Sequence, residues 1–203
     1  MKERVQNIID NLEKRQIKGR FFDTREDAVQ AVLEETGQVN TVGIGGSSTI
    51  FDLKLHELIH EQGKTVLWHW LVEPSERAIV RDQAGRADIY LTSTNALTDG
   101  GELVNIDGMG NRVSAMYYGP KKVIVVCGVN KIATDLISAI DRIKQNACPA
   151  NAKRLGIKTP CAATGQCHDC YSEERICNVT TIINHKPISV DLNVFIIAAS
   201  LGY

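Results

Sequence analysis

The stretch Ala87–Arg112 has the sequence ADIYLTSTNALTDGGELVNIDGMGNR. Its apolar run Ile89–Leu91 predicts a short buried strand, and polar residues follow that run directly. Gly100-Gly101, a second apolar run and a loop with two more glycines come next. In an open α/β sheet, ligands bind beyond the carboxyl ends of strands, where loops bring polar side chains and backbone N–H groups together. The stretch therefore predicts a ligand site at a strand end. The competing interpretation is a tight glycine-rich connection without a ligand.

On both sides of this stretch, predicted strands alternate with predicted helices. The run Thr41–Ile44 ends in glycines and serines that can begin a helix, and Gly63 separates that helix from a strand over Thr65–Trp68. The run Lys121–Val126 is almost entirely β-branched, which is typical of a parallel strand buried on both faces. This alternation predicts an α/β sheet. Further strands are predicted over 179–183 and 194–198.

Length and composition favour one domain that spans residues 1–203, with a small appendage. Hydrophobic residues make up 43% of the chain, which is enough for a core, and the formal net charge is −1. That charge balance provides no general attraction for nucleic acid or for an anionic membrane. No run approaches the ~18 apolar residues that cross a bilayer, and the charged N-terminal segment is unlike a signal peptide. We therefore expect a cytoplasmic protein, in which six cysteines serve as thiols, metal ligands or redox groups rather than structural disulfides.

The junction after the Thr41–Ile44 run is a candidate anion-binding loop. Glycines let a backbone approach an anion closely, and the start of the following helix provides unpaired N–H groups. The alternative is a tight strand-to-helix turn with a serine cap. The loop is not a dinucleotide fingerprint, because Ser48 stands where the third glycine is needed. The candidate anion-binding residues are Gly43, Gly45, Gly46, Ser47 and Ser48.

A carboxylate beside a glycine turn can act as a general base or as an acyl-accepting nucleophile. Glu102, which follows Gly100 and Gly101, is therefore the candidate catalytic residue, although a solvated loop carboxylate is the alternative. We expect Asn95 and Asn111 to orient the ligand. The loop around Gly46 and the loop between Asn95 and Glu102 should then meet at one edge of the sheet.

A polar segment at about 160–177 contains four cysteines in the pattern C-x5-C-x2-C-x6-C. Four thiolates with one C-x-x-C pair could bind zinc or an iron–sulfur cluster, although this spacing matches no standard zinc ribbon or ferredoxin motif. Free thiols in an irregular loop and a redox pair within the C-x-x-C are the alternatives. Cys127 and Cys148 are predicted to lie in the core. The candidate metal ligands are Cys161, Cys167, Cys170 and Cys177.

Several separate motifs resemble the lactate-utilization (LUD, DUF162, LutC-like) domain family. These are Gly43–Ser47, Ala87–Ala96, Gly101–Gly108, Gly110–Arg112 and Gly119–Val123, while Gly128–Ile132 and Pro160–Cys177 resemble its small, single-domain bacterial members. The resemblance implies a single LUD domain over 1–203 with a fold similar to the NagB/RpiA/CoA-transferase group. That fold is a mostly parallel central sheet flanked by helices.

The resemblance also implies a role in the use of lactate or other organic acids. Characterised relatives work in oxidation of L-lactate to pyruvate beside iron–sulfur partner proteins. The first hypothesis is a protein that binds a small anionic ligand (a carboxylate, a phosphate or a CoA-type ligand) at the strand-end loops. Two alternatives stay open: an iron–sulfur or zinc-binding electron-transfer subunit, and a non-catalytic assembly module for iron–sulfur partners. Whether the protein is an enzyme, and whether it forms a homo-oligomer, is left open by the sequence.

Overall fold

The computed structural model describes residues 1–203, which form ten strands and nine α-helices. The strands are β1 (Lys18–Phe22), β2 (Thr41–Ile44), β3 (Thr65–Leu67), β4 (Ile89–Thr92), β5 (Ala96–Thr98), β6 (Leu103–Asp107), β7 (Lys122–Gly128), β8 (Ile132–Ala133), β9 (Val179–Ile183) and β10 (Asp191–Ile197). The helices are α1 (Lys2–Lys14), α2 (Arg25–Thr36), α3 (Ser48–Asp52), α4 (Leu55–Glu61), α5 (Arg77–Ala84), α6 (Asn111–Tyr117), α7 (Leu136–Arg142), α8 (Cys148–Leu155) and α9 (Pro160–Thr164). A 3₁₀ turn, Val129–Lys131, follows β7, and a π-helical turn, Ile143–Ala147, joins α7 to α8.

The larger sheet contains six strands in the order β1-β10-β7-β4-β2-β3, and every neighbouring pair is parallel. The predicted α/β fold with a mostly parallel central sheet flanked by helices is confirmed. β7 lies near the middle of this sheet, and Val123–Cys127 is fully buried there. Burial on both faces accounts for the unbroken β-branched run that predicted this strand.

A second sheet, in the order β8-β5-β6-β9, was not predicted. Its β5–β6 and β6–β9 pairs are antiparallel, and its β5–β8 pair is parallel. β5 and β6 form a hairpin inside the stretch Ala87–Arg112, where Gly101 adopts φ +89° and its N–H donates to the Thr98 carbonyl. β9 follows the cysteine-rich segment and pairs with β6, so this segment is attached to the second sheet at its C-terminal end.

Helices cover both faces of the larger sheet. On one face, α1 packs through Val5, Ile8 and Leu12 into a core that includes residues of the second sheet. On the other face, α2, α3 and α4 bury apolar residues against β2, β4, β7 and β10. Thr24 caps the start of α2, because its hydroxyl oxygen accepts from the backbone N–H of Asp27 at 3.1 Å. No helix of the chain is long and apolar enough to cross a membrane.

Candidate functional site

A cavity of about 280 Å³ opens at the carboxyl ends of the central parallel strands. The loop after β2 forms one wall, and the residues that follow β4 form the adjacent wall. Lys131 in the turn after β7, the loop after β6, α8 and the residues after β10 complete the lining. The position agrees with the rule that ligands of open α/β sheets bind beyond the carboxyl ends of strands.

The structure brings part of the predicted site together. Five of the predicted ligand-binding residues line the cavity: Gly46, Ser47, Ser48, Asn95 and Asn111. Gly43 and Gly45 do not line the cavity; they pack against residues behind its wall. A Cβ atom on Gly43 would meet the Ala84 carbonyl oxygen at 2.1 Å, and one on Gly45 would meet the Tyr90 hydroxyl at 2.8 Å. These two glycines therefore permit close packing and do not line the cavity.

The structure places Glu102 away from this cavity, as it does Gly100 and Gly101. The Glu102 carboxylate forms an ion pair with Arg15 and accepts from the Thr98 hydroxyl. Arg15 also donates to the Gly100 carbonyl oxygen, so the turn of the β5–β6 hairpin holds the end of α1. The prediction that the loop around Gly46 and the whole loop from Asn95 to Glu102 meet at one edge of the sheet is therefore wrong. Asn95 lines the cavity, but β5 runs away from it, and the hairpin turn with Glu102 lies at the far end of β5.

Arg112 organises the cavity wall with all five of its N–H donors. Its guanidinium donates to the Asp107 carboxylate at 2.9 Å, to the side-chain oxygens of Asn95 and Asn105 at 2.9 and 2.8 Å, and to the carbonyl oxygens of Ser93 and Ile106. Only 10% of the Arg112 side chain and 11% of the Asp107 side chain are exposed. Arg112 therefore links β6 to the residues that follow β4. Its guanidinium has no N–H donor left for a ligand.

Several donors on the wall have no partner in the protein. The backbone N–H groups of Gly46 and Ser47 make no hydrogen bond within the chain. The Asn95 side-chain oxygen accepts from Arg112 and from the Ile106 N–H, while its amide nitrogen donates to no protein atom. The wall therefore presents unpaired N–H donors from two separate loops, which is the arrangement that binds negatively charged groups.

Lys131 is a buried cation in the same wall, with 4% of the residue exposed. Its ammonium nitrogen donates to the hydroxyl oxygens of Thr49 and Ser93, each at 2.9 Å, and has no carboxylate partner. Burial is the largest cause that lowers the pKa of Lys131 to about 8, and the positive charges of Arg142 and Arg112 contribute to that value, while Cys127 and Asp52 oppose it.

The cavity carries a clear excess of positive charge. Four cationic side chains line it, and the single carboxylate side chain among the lining residues, that of Asp107, is already paired with Arg112. This leaves Arg81, Arg154 and Lys131 without a carboxylate partner. The Arg154 guanidinium lies 4.8 Å from the centroid of the Trp70 ring, and the Arg81 side chain makes no hydrogen bond within the protein.

His69 lines the cavity as a neutral imidazole at neutral pH. Burial is the largest cause that lowers the pKa of His69 to about 4, and the positive charges of Arg81, Arg77 and Arg154 contribute to that value, while Asp107 opposes it. Gly46 lies next to this ring, because a Cβ atom on Gly46 would come within 3.6 Å of the His69 Cε1 atom. His69 is not among the predicted site residues. Its position just after β3, at the carboxyl end of a parallel strand, is the signal that could have identified it.

The four predicted metal ligands lie on the segment that follows α8, and all six cysteines are free thiols. The structure brings no three metal-ligating side chains into one group. Cys148, which was predicted to lie in the core, packs against a small apolar cluster at the start of α8 and also lines the cavity. Burial is the largest cause that raises the pKa of Cys148 to about 12, and Cys177, Cys167 and Cys161 contribute to that value.

Comparisons with known proteins agree with this fold. No curated protein matches the chain in sequence. Among solved structures, a DUF162 family protein from Deinococcus radiodurans is similar, with a TM-score of 0.57 and 15% sequence identity over 96% of each chain. That level of identity shows a shared fold. The model of the LUD domain family matches residues 5–197, which is nearly the whole sequence, and the chain therefore belongs to the LUD domain family.

Proposed function

We propose that this LUD-domain protein binds a small anionic metabolite in the cavity and serves the utilization of lactate or a related organic acid. The observation that carries the proposal is the excess of positive charge. Three cationic side chains in the wall have no carboxylate partner, and one of them, Lys131, is almost fully buried. A buried charge without a counter-ion is costly, and a bound anion would offset that cost.

The remaining lining groups suit the same kind of ligand. The free N–H groups of Gly46 and Ser47 can donate to an anionic oxygen, and the amide groups of Asn95 and Asn111 can fix its orientation. A cavity of about 280 Å³ is close to the lower end of ligand pockets, which range from about 300 to 1,000 Å³. This volume favours a small carboxylate or phosphate compound. If the ligand were a CoA thioester, the cavity would have room only for its acyl end, and the rest of the CoA would lie outside.

The first prediction concerns thermal stability in the presence of such anions. L-lactate, pyruvate, inorganic phosphate and acetyl-CoA are each added to the protein, and the Tm is measured. A ligand at about one hundred times its Kd contributes about 2.7 kcal/mol, which corresponds to roughly 5–10 °C in Tm for a chain of this size. We expect at least one of these anions to produce a shift of that order.

Arg81→Met is expected to remove most of this shift, because it deletes an unpaired cation of the wall. Lys121→Met is the matched control, since Lys121 is an exposed lysine outside the cavity. The proposal fails if none of the four anions changes the Tm of the original protein. It also fails if Arg81→Met and Lys121→Met respond to the anion equally.

A second candidate function is indicated by the cysteine pattern of Cys161, Cys167, Cys170 and Cys177, which are free thiols in the structure. Four thiolates could bind zinc or an iron–sulfur cluster, and the segment would have to rearrange to do so, because the structure brings no three metal-ligating side chains together. The segment could then act in electron transfer or in docking on iron–sulfur partners, and the cavity would be a secondary feature.

The prediction for this candidate is that protein purified without oxygen contains iron or zinc. Cys167→Ser and Cys170→Ser should lose that metal, whereas Cys127→Ala should retain it, because Cys127 lies inside β7 away from this segment. Elemental analysis and visible absorbance measure the content. Metal-free anaerobic protein, or equal metal in all three variants, would remove this candidate and leave the anion-binding proposal in place.

A further inference from the structure

The amino group of Lys131 is positioned as a reactive group as well as a charge. It lies in the cavity wall between the hydroxyls of Thr49 and Ser93, each at 2.9 Å, and it forms no ion pair with a carboxylate. A Cβ atom on Gly202 would come within 3.4 Å of the Lys131 nitrogen, so the chain after β10 closes over the amine. The amine is therefore shielded from bulk water on that side.

Only the unprotonated amine is a nucleophile, and the surroundings of Lys131 favour that form. Burial is the largest cause of the lowered pKa of Lys131, and the positive charges of Arg142 and Arg112 add to it, whereas Cys127 and Asp52 act in the opposite direction. With its pKa at about 8, roughly a tenth of the Lys131 side chains are neutral at pH 7, compared with far fewer for an exposed lysine. Desolvation and nearby cations are the means by which proteins activate lysine for attack on carbonyl groups.

We propose that Lys131 forms an imine with the carbonyl group of a small anionic aldehyde or ketone bound in the cavity. This inference rests on the proposed function, and it narrows the ligand to anions that also carry a carbonyl group. The unpaired cation of Arg81 and the free N–H groups of Gly46 and Ser47 would hold the negative group. Two sources have this chemistry, a 2-oxo acid and a sugar-phosphate aldehyde.

The reaction balances without a further reactant. The nitrogen lone pair of Lys131 adds to the carbonyl carbon, and one N–H proton passes to the carbonyl oxygen to give a neutral carbinolamine. The second N–H proton passes to the hydroxyl group, which leaves as water as the carbon–nitrogen double bond forms. The hydroxyls of Thr49 and Ser93 are within hydrogen-bond distance of the nitrogen and can accept and return its protons.

The test is reductive trapping followed by mass spectrometry of the intact protein and of its peptides. The protein is incubated with pyruvate or with glyceraldehyde 3-phosphate, and sodium borohydride is then added. We expect one adduct per chain on the peptide that contains Lys131, with the mass of the carbonyl compound less one water plus two hydrogens. L-lactate has the same carboxylate as pyruvate but no carbonyl group, so it should give no adduct.

Lys131→Met and Lys131→Arg should each abolish the adduct, and the exposed control Lys121→Arg should retain it. Trapping should also become faster from pH 7 to pH 9, because the neutral fraction of Lys131 grows as the pH rises through about 8. Circular dichroism establishes that each variant is folded.

The inference is overturned if pyruvate or glyceraldehyde 3-phosphate raises the Tm but no adduct forms at Lys131, and in that case the anion-binding function stands. An adduct spread evenly over surface lysines overturns it as well. If neither compound changes the Tm and neither is trapped, both the inference and the proposed function fall for these ligand classes. Trapping by only one of the two compounds identifies the source of the carbonyl group.

Discussion

Arg112→Met is expected to lower the free energy of unfolding by about 3–5 kcal/mol, which is the usual cost of removing one partner of a buried ion pair. The same variant is expected to lose the response to anions. Methionine fills similar space but donates no hydrogen bond. The change therefore leaves the Asp107 carboxylate, two side-chain amide oxygens and two backbone carbonyl oxygens without their guanidinium donor.

The loss of binding follows from the same contacts. Arg112 fixes Asn95 and the loop that begins at Asp107, and both belong to the cavity wall. Without Arg112, Asp107 becomes an unpaired carboxylate in a cavity that should receive an anion, so the local charge balance becomes unfavourable for binding. Arg112 thus acts on the ligand indirectly, since its own donors are all occupied.

Urea denaturation measures the stability change, and the Tm with and without anion measures binding. Arg86→Met is the control, because Arg86 is exposed and lies outside the cavity. Arg112→Lys separates charge from geometry: a lysine keeps the positive charge but cannot reproduce five fixed donors, so we expect it to recover only part of the stability. An Arg112→Met protein as stable as the Arg86→Met control would show that this hydrogen-bond network contributes little.

The parts of the fold that could be predicted from sequence are those that depend on short-range patterns. The run around Val123–Val126 is apolar on both faces, and only a central parallel strand buries such a run. The second sheet gives no such signal. β5 has three residues and β8 has two, and the β5–β8 and β6–β9 pairs join residues that are far apart in the chain.

The same distinction applies to the site. The rule about strand ends correctly placed Gly46 and Asn95 at one cavity, because each directly follows a parallel strand of the larger sheet. It did not extend to Glu102, since the hairpin turn lies at the other end of β5, against α1. The sequence did not single out Lys131 or Arg81 as ligand-binding residues, because the burial of Lys131 and the place of Arg81 in the cavity wall follow from tertiary packing.

Gly43→Ala is the second change with a large expected effect. Gly43 lies within β2 and pairs with Tyr90 of β4 and Leu67 of β3. A Cβ atom at this position would lie 2.1 Å from the carbonyl oxygen of Ala84 and 2.8 Å from its carbonyl carbon. Both are backbone atoms at the end of α5, so no side-chain rotation can relieve the overlap.

The helix or the strand must therefore move, and we expect a loss of about 3 kcal/mol or more in the free energy of unfolding. Gly85→Ala, at the residue that follows Ala84 between α5 and β4, is the matched control. Gly85 has φ −68°, and a Cβ atom there would meet its nearest neighbours at an ordinary 3.7 Å. That variant should be neutral or slightly stabilising, by up to about 1 kcal/mol, because alanine restricts the unfolded chain more than glycine does.

Gly43→Ala also separates two explanations for the glycines that precede the Gly46–Ser48 loop. If Gly43 contacted the anion directly, the Gly43→Ala protein would keep its stability and would lose only the Tm shift caused by the ligand. If Gly43 lets α5 pack on β2, as the contact with Ala84 implies, stability falls first. Binding then declines only because β2 carries the loop that lines the cavity. Urea denaturation of Gly43→Ala without ligand decides between them: stability equal to that of Gly85→Ala would contradict the packing explanation and return Gly43 to the binding site.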